Sequence, residues 1–584
     1  MTQRPLCLGV ERSLTGRRWL GPTWEEDRRA LHLVQATGVP DVLARILAQR
    51  GIDAEDVQGF LTPTLRDLMP DPSMLRDMDK AATRFVTAVE SDERIAIFAD
   101  YDADGGASAA LLLNWLREMG RRAKLYIPDR LKEGYGPNVP AMQSLGMEHD
   151  LIICVDCGTL SHDAIFAAKC DVIVIDHHLA GETLPVCHAL VNPNRHDDAS
   201  GLGHLCAAAV VFLLLVAVNR LLRREKQRIP DLLGLLDLVA LATVADVAPL
   251  KGLNRAFVRQ GLTIMDQRSR PGIAALLATA QLKTAPSCHT LGFVLGPRIN
   301  AGGRVGAADL GARLLATEDI HEATALAERL EQLNAQRKAL EVSVANAALD
   351  LLEAQPPTGS LIWVAGEDWH PGVLGIVASR LKEAFGLPAI VTGFSGDFGK
   401  GSGRSAGGLD LGSAVAKLRK EGLITKGGGH RAAVGLTLTR AQFGPARARL
   451  EAIVAETGAM PERQDTLEVD CVLGIRAGTL ETAEAIAQAG PYGMGAPTPR
   501  IAFAEARIAR FKPVGDAHLS LTLSDPIGGR LEAIAFGAYN TDLAEAIDRE
   551  RGRAFHFAGR LERDDWGGRP KAKLYVDDVA PASE

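Results

Sequence analysis

The sequence predicts an α/β protein in which two α/β lobes are joined by a long helix and followed by a small carboxyl-terminal β-barrel. Three observations carry this. Between 94 and about 250, short apolar runs alternate with helical stretches, the pattern of a parallel sheet covered on both faces. Thr317 to Gln355 reads as one long charged helix, and strand–helix alternation resumes over about 360–458. From 465 onward the texture turns to β, with five candidate strands.

The bulk properties agree. A chain of 584 residues should hold about three or four domains. With 47% hydrophobic and 23% charged residues it has an ordinary soluble composition. A net charge of −7 argues against a polycation that coats nucleic acid, while leaving room for a local basic groove. The eight scattered cysteines fit a reducing cytosol, so a cytoplasmic protein is expected. No signal peptide is evident. The longest apolar run, Leu205 to Val218, falls short of the roughly 18 residues needed to span a bilayer and reads as a buried helix, so no membrane is expected. The expected divisions are a helical lead-in (1–90), a first α/β domain (91–316), the connecting helix (317–355), a second α/β domain (356–460) and the barrel (461–584).

The lead-in has helical spacing at Val42 to Gln49 and Met78 to Val89, with turns at Pro63, Pro70 and Pro72. Strands are expected at 94–99, 123–127, 151–155 and 172–175. The first runs into Asp100, Asp102 and Asp104, then Gly105 and Gly106, then a helix from Ala107. One carboxylate suffices to cap a helix. Three so close repel one another unless a cation lies among them, and hard oxygen ligands favour Mg²⁺ or Mn²⁺. The third strand ends at Asp156 and the fourth at Asp176-His177-His178, so three strands present acid, or acid plus histidine, at one sheet edge, where α/β sites form. On extended backbone the two histidines point to opposite sides, so one would meet a metal and the other a substrate phosphate. Cys154 and Cys157 form an isolated CxxC without a second pair, which reads as structural. Leu232 to Val244 is an apolar helix ending at Asp246; a negative charge there is unfavourable unless a cation offsets it.

Arg298 and Arg304 stand among glycines in the stretch 292–306, either binding phosphate or lying in a solvated loop. In the second lobe, Gly399 to Ser405 lacks Walker spacing, but its backbone amides with Ser402, Arg404 and Ser405 are expected to nest a phosphate. Gly427 to His430 follows. The five late strands (499–511, 518–523, 530–536, 554–562, 571–577) and a helix at 479–489 suit an OB-fold, a common binder of single-stranded nucleic acid. Lys512, Arg530, Arg560, Lys571 and Lys573 supply cations, while Phe511, Phe536, Phe555 and Phe557 serve either as core or as stacking platforms.

Taken together, these motifs resemble the DHH phosphoesterase superfamily and, within it, the RecJ single-strand-specific 5′→3′ exonucleases. The resembling residues are DYDADG at 100–105, VDCG at 155–158, DHH at 176–178, ADVAPL at 245–250, GPRINAGGR at 296–304, WHPGVLGIVASRLKE at 369–383, GSGRS at 401–405, GGGH at 427–430 and PYGMGAPTPR at 491–500. FLTPTLRDLMPDP at 60–72 matches the family's lead-in. The likeness covers nearly the whole chain.

The resemblance implies a DHH lobe and a smaller DHHA1 lobe, with two divalent ions, Mn²⁺ or Mg²⁺, held by Asp102, Asp104, Asp156, His177 and Asp246. It implies His178 close by, Asp100 and Asp176 in support, and Arg298, Arg304 and His430 facing phosphates. Arg130, Ser402 and Arg404 would hold a terminal 5′-phosphate. Phe98 stands where relatives often carry a histidine, which weakens the case for a fully occupied second metal. The implied activity is metal-dependent hydrolysis of single-stranded DNA in recombination and repair. The implied partners are a single-strand-binding protein and a helicase, and a monomer is expected. The alternatives are a DHH phosphodiesterase or phosphatase on short oligonucleotides, against which the barrel region argues, and an inactive DNA-binding scaffold, which would typically lack ligand carboxylates. All of this requires the groups near 102, 156, 177 and 246 to converge within about 10 Å.

Overall fold

The computed structural model describes residues 4–130, 132–357, 359–457, 466–539, 541–549, 552–565 and 568–582. The expected boundary at 460/461 lies outside them. The chain forms two compact units: residues 70–248 with 257–463, and residues 1–69 with 249–256 and 464–584. The stretch read as 1–90 thus divides at 69/70, its last helix, Met78–Glu90, belonging to the larger unit.

In the larger unit, five strands form a parallel sheet in the order Ala123–Tyr126, Ile95–Ala99, Leu151–Val155, Asp171–Ile175, Ala189–Val191. The strands Ile95–Ala99 and Leu151–Val155 are buried throughout, as expected when helices cover both faces. The chain leaves Ile95–Ala99 toward one neighbour and returns on its other side. That reversal is the switch point at which an open α/β sheet forms a crevice. Register does the rest. Ala99 lies opposite Val155, and Val155 opposite Ile175, so Asp100, Asp156 and Asp176 leave the sheet side by side. Phe98, in the place of the superfamily histidine, is fully buried and stacks on Tyr126 at 5.3 Å.

The helix Ala103–Glu118 starts hard against the strand end. A Cβ on Gly105 would lie 2.4 Å from the Asp100 carbonyl oxygen, so only glycine permits this approach. The apolar run from Leu205 becomes the buried helix Ala207–Arg224, and the Leu232 segment becomes Leu236–Ala245. The stretch holding Arg298 and Arg304 is not a loop. It is a π-helical turn, Thr290–Leu295, followed by the helix Gly296–Val305, whose glycines admit close neighbours: a Cβ on Gly303 would meet the Tyr101 side chain at 2.9 Å.

The long helix, Ile320–Ala354, packs against Pro271–Thr279 and Gly296–Val305 and also against Pro371–Phe385 of the second lobe. Its apolar spacing breaks at Arg337, where a buried Arg337–Glu341 ion pair takes over, joined by Asn334 and by Arg380 of the second lobe. It serves two lobes as one helix.

The second lobe carries a mixed sheet in the order Lys426–Gly429, Ala433–Thr439, Phe398–Arg404, Ala389–Ser395, Ile362–Glu367. The glycine run expected to nest a phosphate with its amides is instead the strand Phe398–Arg404, paired on both sides. The ladder occupies its backbone, leaving only side chains to recognise a ligand. Its glycines are demanded by packing: a Cβ on Gly401 or Gly403 would come within 2.8 Å of Leu436 or Val434.

In the smaller unit, Ile501–Val514, His518–Ser524, Arg530–Ala535, Lys571–Pro581 and Phe555–Asp564 close into a five-stranded barrel, with Ile501–Val514 pairing back to Phe555–Asp564. The helix Leu480–Gln488 is present as expected. Phe555 and Phe557 are core, whereas Phe536 is exposed and stacks with Tyr575. The helices Trp24–Thr37 and Asp41–Gln49 share the barrel's core through Leu33, Leu43 and Leu47. Trp19 donates its indole N–H to Asp578 at 2.8 Å. No described helix is long and apolar enough to cross a membrane.

Candidate metal and phosphate site

The acidic edge of the parallel sheet converges as the sequence requires. Ligand atoms of Asp104, His177 and Asp246 all lie within 4.8 Å of one another, and so do those of Asp100, Asp102 and Asp156. Asp156 also groups with His177 and His178. His177 Nε2 is 3.3 Å from Asp156 Oδ1, 3.7 Å from Asp104 Oδ2 and 3.8 Å from Asp246 Oδ2. Such spacings are what two donors show across one divalent ion. Asp156 thus stands between two donor clusters.

Each carboxylate is set by its element. Asp102 caps the helix Ala103–Glu118, accepting from the amides of Asp104 and Gly105, and so does the capping work while remaining in the cluster. Asp104 accepts from Ala207 and Ala208, the first amides of helix Ala207–Arg224, at 2.7 and 2.8 Å. The positive end of that helix supports an anion buried among anions. Asp156 has a left-handed backbone, φ 60°, and Val247 beside Asp246 has φ 59°. Each departs from the ordinary regions at roughly 1 kcal/mol, the sort of strain that functional sites retain.

Burial, followed by mutual repulsion, holds Asp100 and Asp156 well above the usual carboxylate range and raises Asp104. The same causes push Asp246 up to about 8. Oδ1 of Asp100, Oδ1 of Asp156 and Nε2 of His177 are buried without hydrogen-bond partners. Buried polar atoms are seldom left so. Orphaned hard donors, crowded like charges and a histidine nitrogen aimed among them fit divalent cations such as Mn²⁺ or Mg²⁺.

His178 is also tied to Asp176. Its Nδ1 lies 2.8 Å from Asp176 Oδ1. Burial opposes its charge, but that hydrogen bond and the Asp176 charge raise it to about 9. Asp176 is in turn held below the ordinary range: burial works against this, but His178 and the Thr159 amide outweigh it. The His178 ring stands 6.3 Å from His430 of the second lobe, nearly parallel to it.

A cationic group gathers near the amino end of helix Pro371–Phe385. Arg304 donates to the Gly372 carbonyl at 3.1 Å. A Cβ on Gly375 would meet Ser402 Oγ at 2.9 Å and the Arg404 guanidinium at 3.0 Å. Arg130 lies over the Tyr101 ring, 5.2 Å from its centre. Burial, then the charges of Arg130 and Arg337, pushes Arg304 down to about 10; burial and Arg130 lower Arg404 and His370 as well. Converging cations suit a phosphate, although the first amides of the helix are already taken by His370. Two expected residues are engaged otherwise. Arg298 is bound to Glu331 and the Val294 carbonyl, and the Ser405 hydroxyl donates to the Leu409 carbonyl.

Three protein-family models match: the DHH family N-terminal domain over 94–243, the DHHA1 domain over 358–456 and the RecJ OB domain over 469–578. The single-stranded-DNA-specific exonuclease RecJ of Dickeya dadantii is 37% identical, covering 93% of this chain and 96% of that protein. The chain belongs to the RecJ family. A crystal structure of RecJ in complex with Mn²⁺ from Thermus thermophilus matches at a TM-score of 0.79 and 29% identity, over 97% of this chain and 80% of that one. The same protein in complex with Mg²⁺ matches at 0.74 and 28%, over 97% and 79%. A RecJ fold with a DHH lobe, a DHHA1 lobe and an OB barrel is therefore the architecture of this chain.

Several site features of this RecJ family member carry no clear sequence signal. The amides of Ala207 and Ala208 are chemically silent in a sequence. Asn192 donates to the His178 carbonyl and Asn194 to the His177 carbonyl, fixing the DHH backbone. Tyr135 donates to the Asp156 carbonyl at 3.0 Å. The pair of asparagines directly after Ala189–Val191 could have been noticed as a fourth strand-end signal.

Proposed function

We propose that this protein is a single-stranded-DNA-specific 5′→3′ exonuclease that hydrolyses phosphodiester bonds with divalent-metal assistance. The observation that carries this is the convergence of Asp104, Asp156, His177 and Asp246, with orphaned donor atoms, in a chain of the RecJ family. Asp102 and Asp100 complete the second donor cluster. When bound, divalent ions would supply Lewis acidity, lowering the pKa of the attacking water and offsetting phosphate charge.

The chain's own groups have separate duties in this reading. Asp176 keeps His178 protonated, placing positive charge beside Asp156 and His430. Arg304 and His430 add a charge and a donor where negative charge grows. Arg130, Ser402 and Arg404 hold the terminal 5′-phosphate and so set polarity. Arg298 and Ser405 brace the surrounding backbone through the contacts they make. The barrel, with exposed Phe536 stacked on half-buried Tyr575, suits unpaired bases. A role in DNA recombination and repair, in the cytoplasm, as a monomer working with a single-strand-binding protein and a helicase, belongs to the same reading and rests on family membership.

The test is cleavage of a long 5′-phosphorylated single strand, a duplex and a dinucleotide, each with Mn²⁺, Mg²⁺ or EDTA. The expected result is stepwise release of mononucleotides from the 5′ end of the single strand alone, and none in EDTA. Preference for the dinucleotide, or turnover in EDTA, would refute it.

A further inference from the structure

Tyr135 is half exposed at 53%, yet its hydroxyl turns inward. It donates to the backbone carbonyl of Asp156, the residue held left-handed between the two donor clusters. The same oxygen lies 3.3 and 3.4 Å from the two ring nitrogens of His178, and the rings meet edge to face at 5.7 Å. Tyr135 belongs to the same connection as Arg130. Glu133 ties that connection together, accepting from the Tyr126 hydroxyl at 2.6 Å, the Asp129 amide at 2.7 Å and the Asn138 side chain at 3.2 Å. One short stretch therefore reaches the phosphate cations at one end and the metal cluster at the other.

We propose that Tyr135 is a positioning residue that couples the two: a terminal phosphate at Arg130 steadies the connection, Tyr135 then steadies the Asp156 backbone, and divalent-ion binding tightens. The inference rests on the reading of Arg130 as a 5′-phosphate ligand. Linkage makes the effect reciprocal, so bound metal must equally tighten the grip on the phosphate.

The experiment measures Mn²⁺ affinity of the full chain by electron paramagnetic resonance of free Mn²⁺. The probes are a short oligonucleotide carrying a 5′-phosphate, with a non-hydrolysable methylphosphonate as its first linkage, and its 5′-hydroxyl counterpart. In the unaltered protein the 5′-phosphate should tighten Mn²⁺ binding by about fivefold or more relative to the 5′-hydroxyl, the lower end of ordinary coupling. Tyr135→Phe and, independently, Glu133→Ala should reduce that ratio toward one while leaving the melting temperature of Tyr135→Phe unchanged. A Tyr135→Phe protein with the full ratio would overturn the proposal. So would a ratio of one in the unaltered protein when the metal-free protein still prefers the 5′-phosphate probe by fluorescence anisotropy; the phosphate pocket would then stand without the coupling. If the metal-free protein does not distinguish the probes, the Arg130 reading fails and the coupling falls with it.

Discussion

In the parallel sheet, chemistry leaves the strands at their carboxyl ends: Asp100, Asp156 and Asp176 emerge in register, and the chain loops onward. In the second lobe it sits within a strand. Ser402 and Arg404 project from Phe398–Arg404 between glycines that let neighbouring side chains close in. The first arrangement concentrates negative charge in a buried place and is unfavourable until a cation arrives. The second gathers cations around helix Pro371–Phe385 and awaits an anion. Each half lacks what a metal-bound phosphodiester would bring to it.

The contrast can be broken by substitution. The largest effect is expected at Asp156, which stands between both donor clusters. Asp156→Ala should lower the cleavage rate by about three orders of magnitude or more, as several kcal/mol of transition-state stabilisation implies. Anisotropy should show single-strand binding little changed, since the cations remain. Unchanged turnover would sink the assignment.

Next comes a dependence on pH in which the four raised carboxylates of the acidic half should outweigh the lowered His370 and His430 of the basic half, whose share runs the other way. Asp100, Asp104, Asp156 and Asp246 are raised, so the folded metal-free protein holds protons that the unfolded chain releases near pH 4. Stability contributed by these groups is therefore present at low pH and lost as pH rises toward about 8, the value for Asp246. His178, raised to about 9, acts with the same sign, its share fading above its unfolded value. Melting temperatures in EDTA should fall between pH 5 and 9, and saturating Mn²⁺ should flatten the slope. A level profile in EDTA would contradict the electrostatic account.

The basic half should respond differently. Arg404→Ala should reduce the preference for a 5′-phosphate over a 5′-hydroxyl terminus by about tenfold or more, the worth of a charged hydrogen bond. The EDTA pH slope should stay as it was. If instead Arg404→Ala alters that slope and spares the terminus preference, the two halves have been assigned the wrong way round. The smallest change is expected from Gly403→Ala, whose new methyl would crowd Val434 and Ile390. Overpacking of this sort costs about 1–3 kcal/mol, visible as a lower melting temperature at unaltered pH slope.

The same contrast explains what was legible. Asp100, Asp156 and Asp176-His177-His178 each follow an apolar β-branched run, and strand register then makes them neighbours, so both fold and acidic site could be read. Asp246 was signalled by its awkward place at a helix end, as Asp102 and Asp104 were by their crowding. The glycine stretches were not legible as elements. Glycine is a poor strand and helix former, and its presence at 401, 403 and 303 answers to side chains far away in sequence: Leu436, Val434 and Tyr101. Local pattern therefore suggested loops where tertiary packing made a strand and a helix. The engagement of Arg298 by Glu331, and the helix-end amides under Asp104, are likewise contacts between distant parts of the chain that no spacing announces.

The shared core of the barrel unit sets a schedule for synthesis. Leu33, Leu43 and Leu47 are made several hundred residues before the barrel residues that cover them, such as Phe503, Phe557 and Val579. At ordinary elongation speeds the nascent helices wait roughly 25–100 s for those partners. During that interval their apolar faces are open to whatever else will shield them, so holdase chaperones should associate with ribosomes bearing the first few hundred residues and depart once Val579 has emerged.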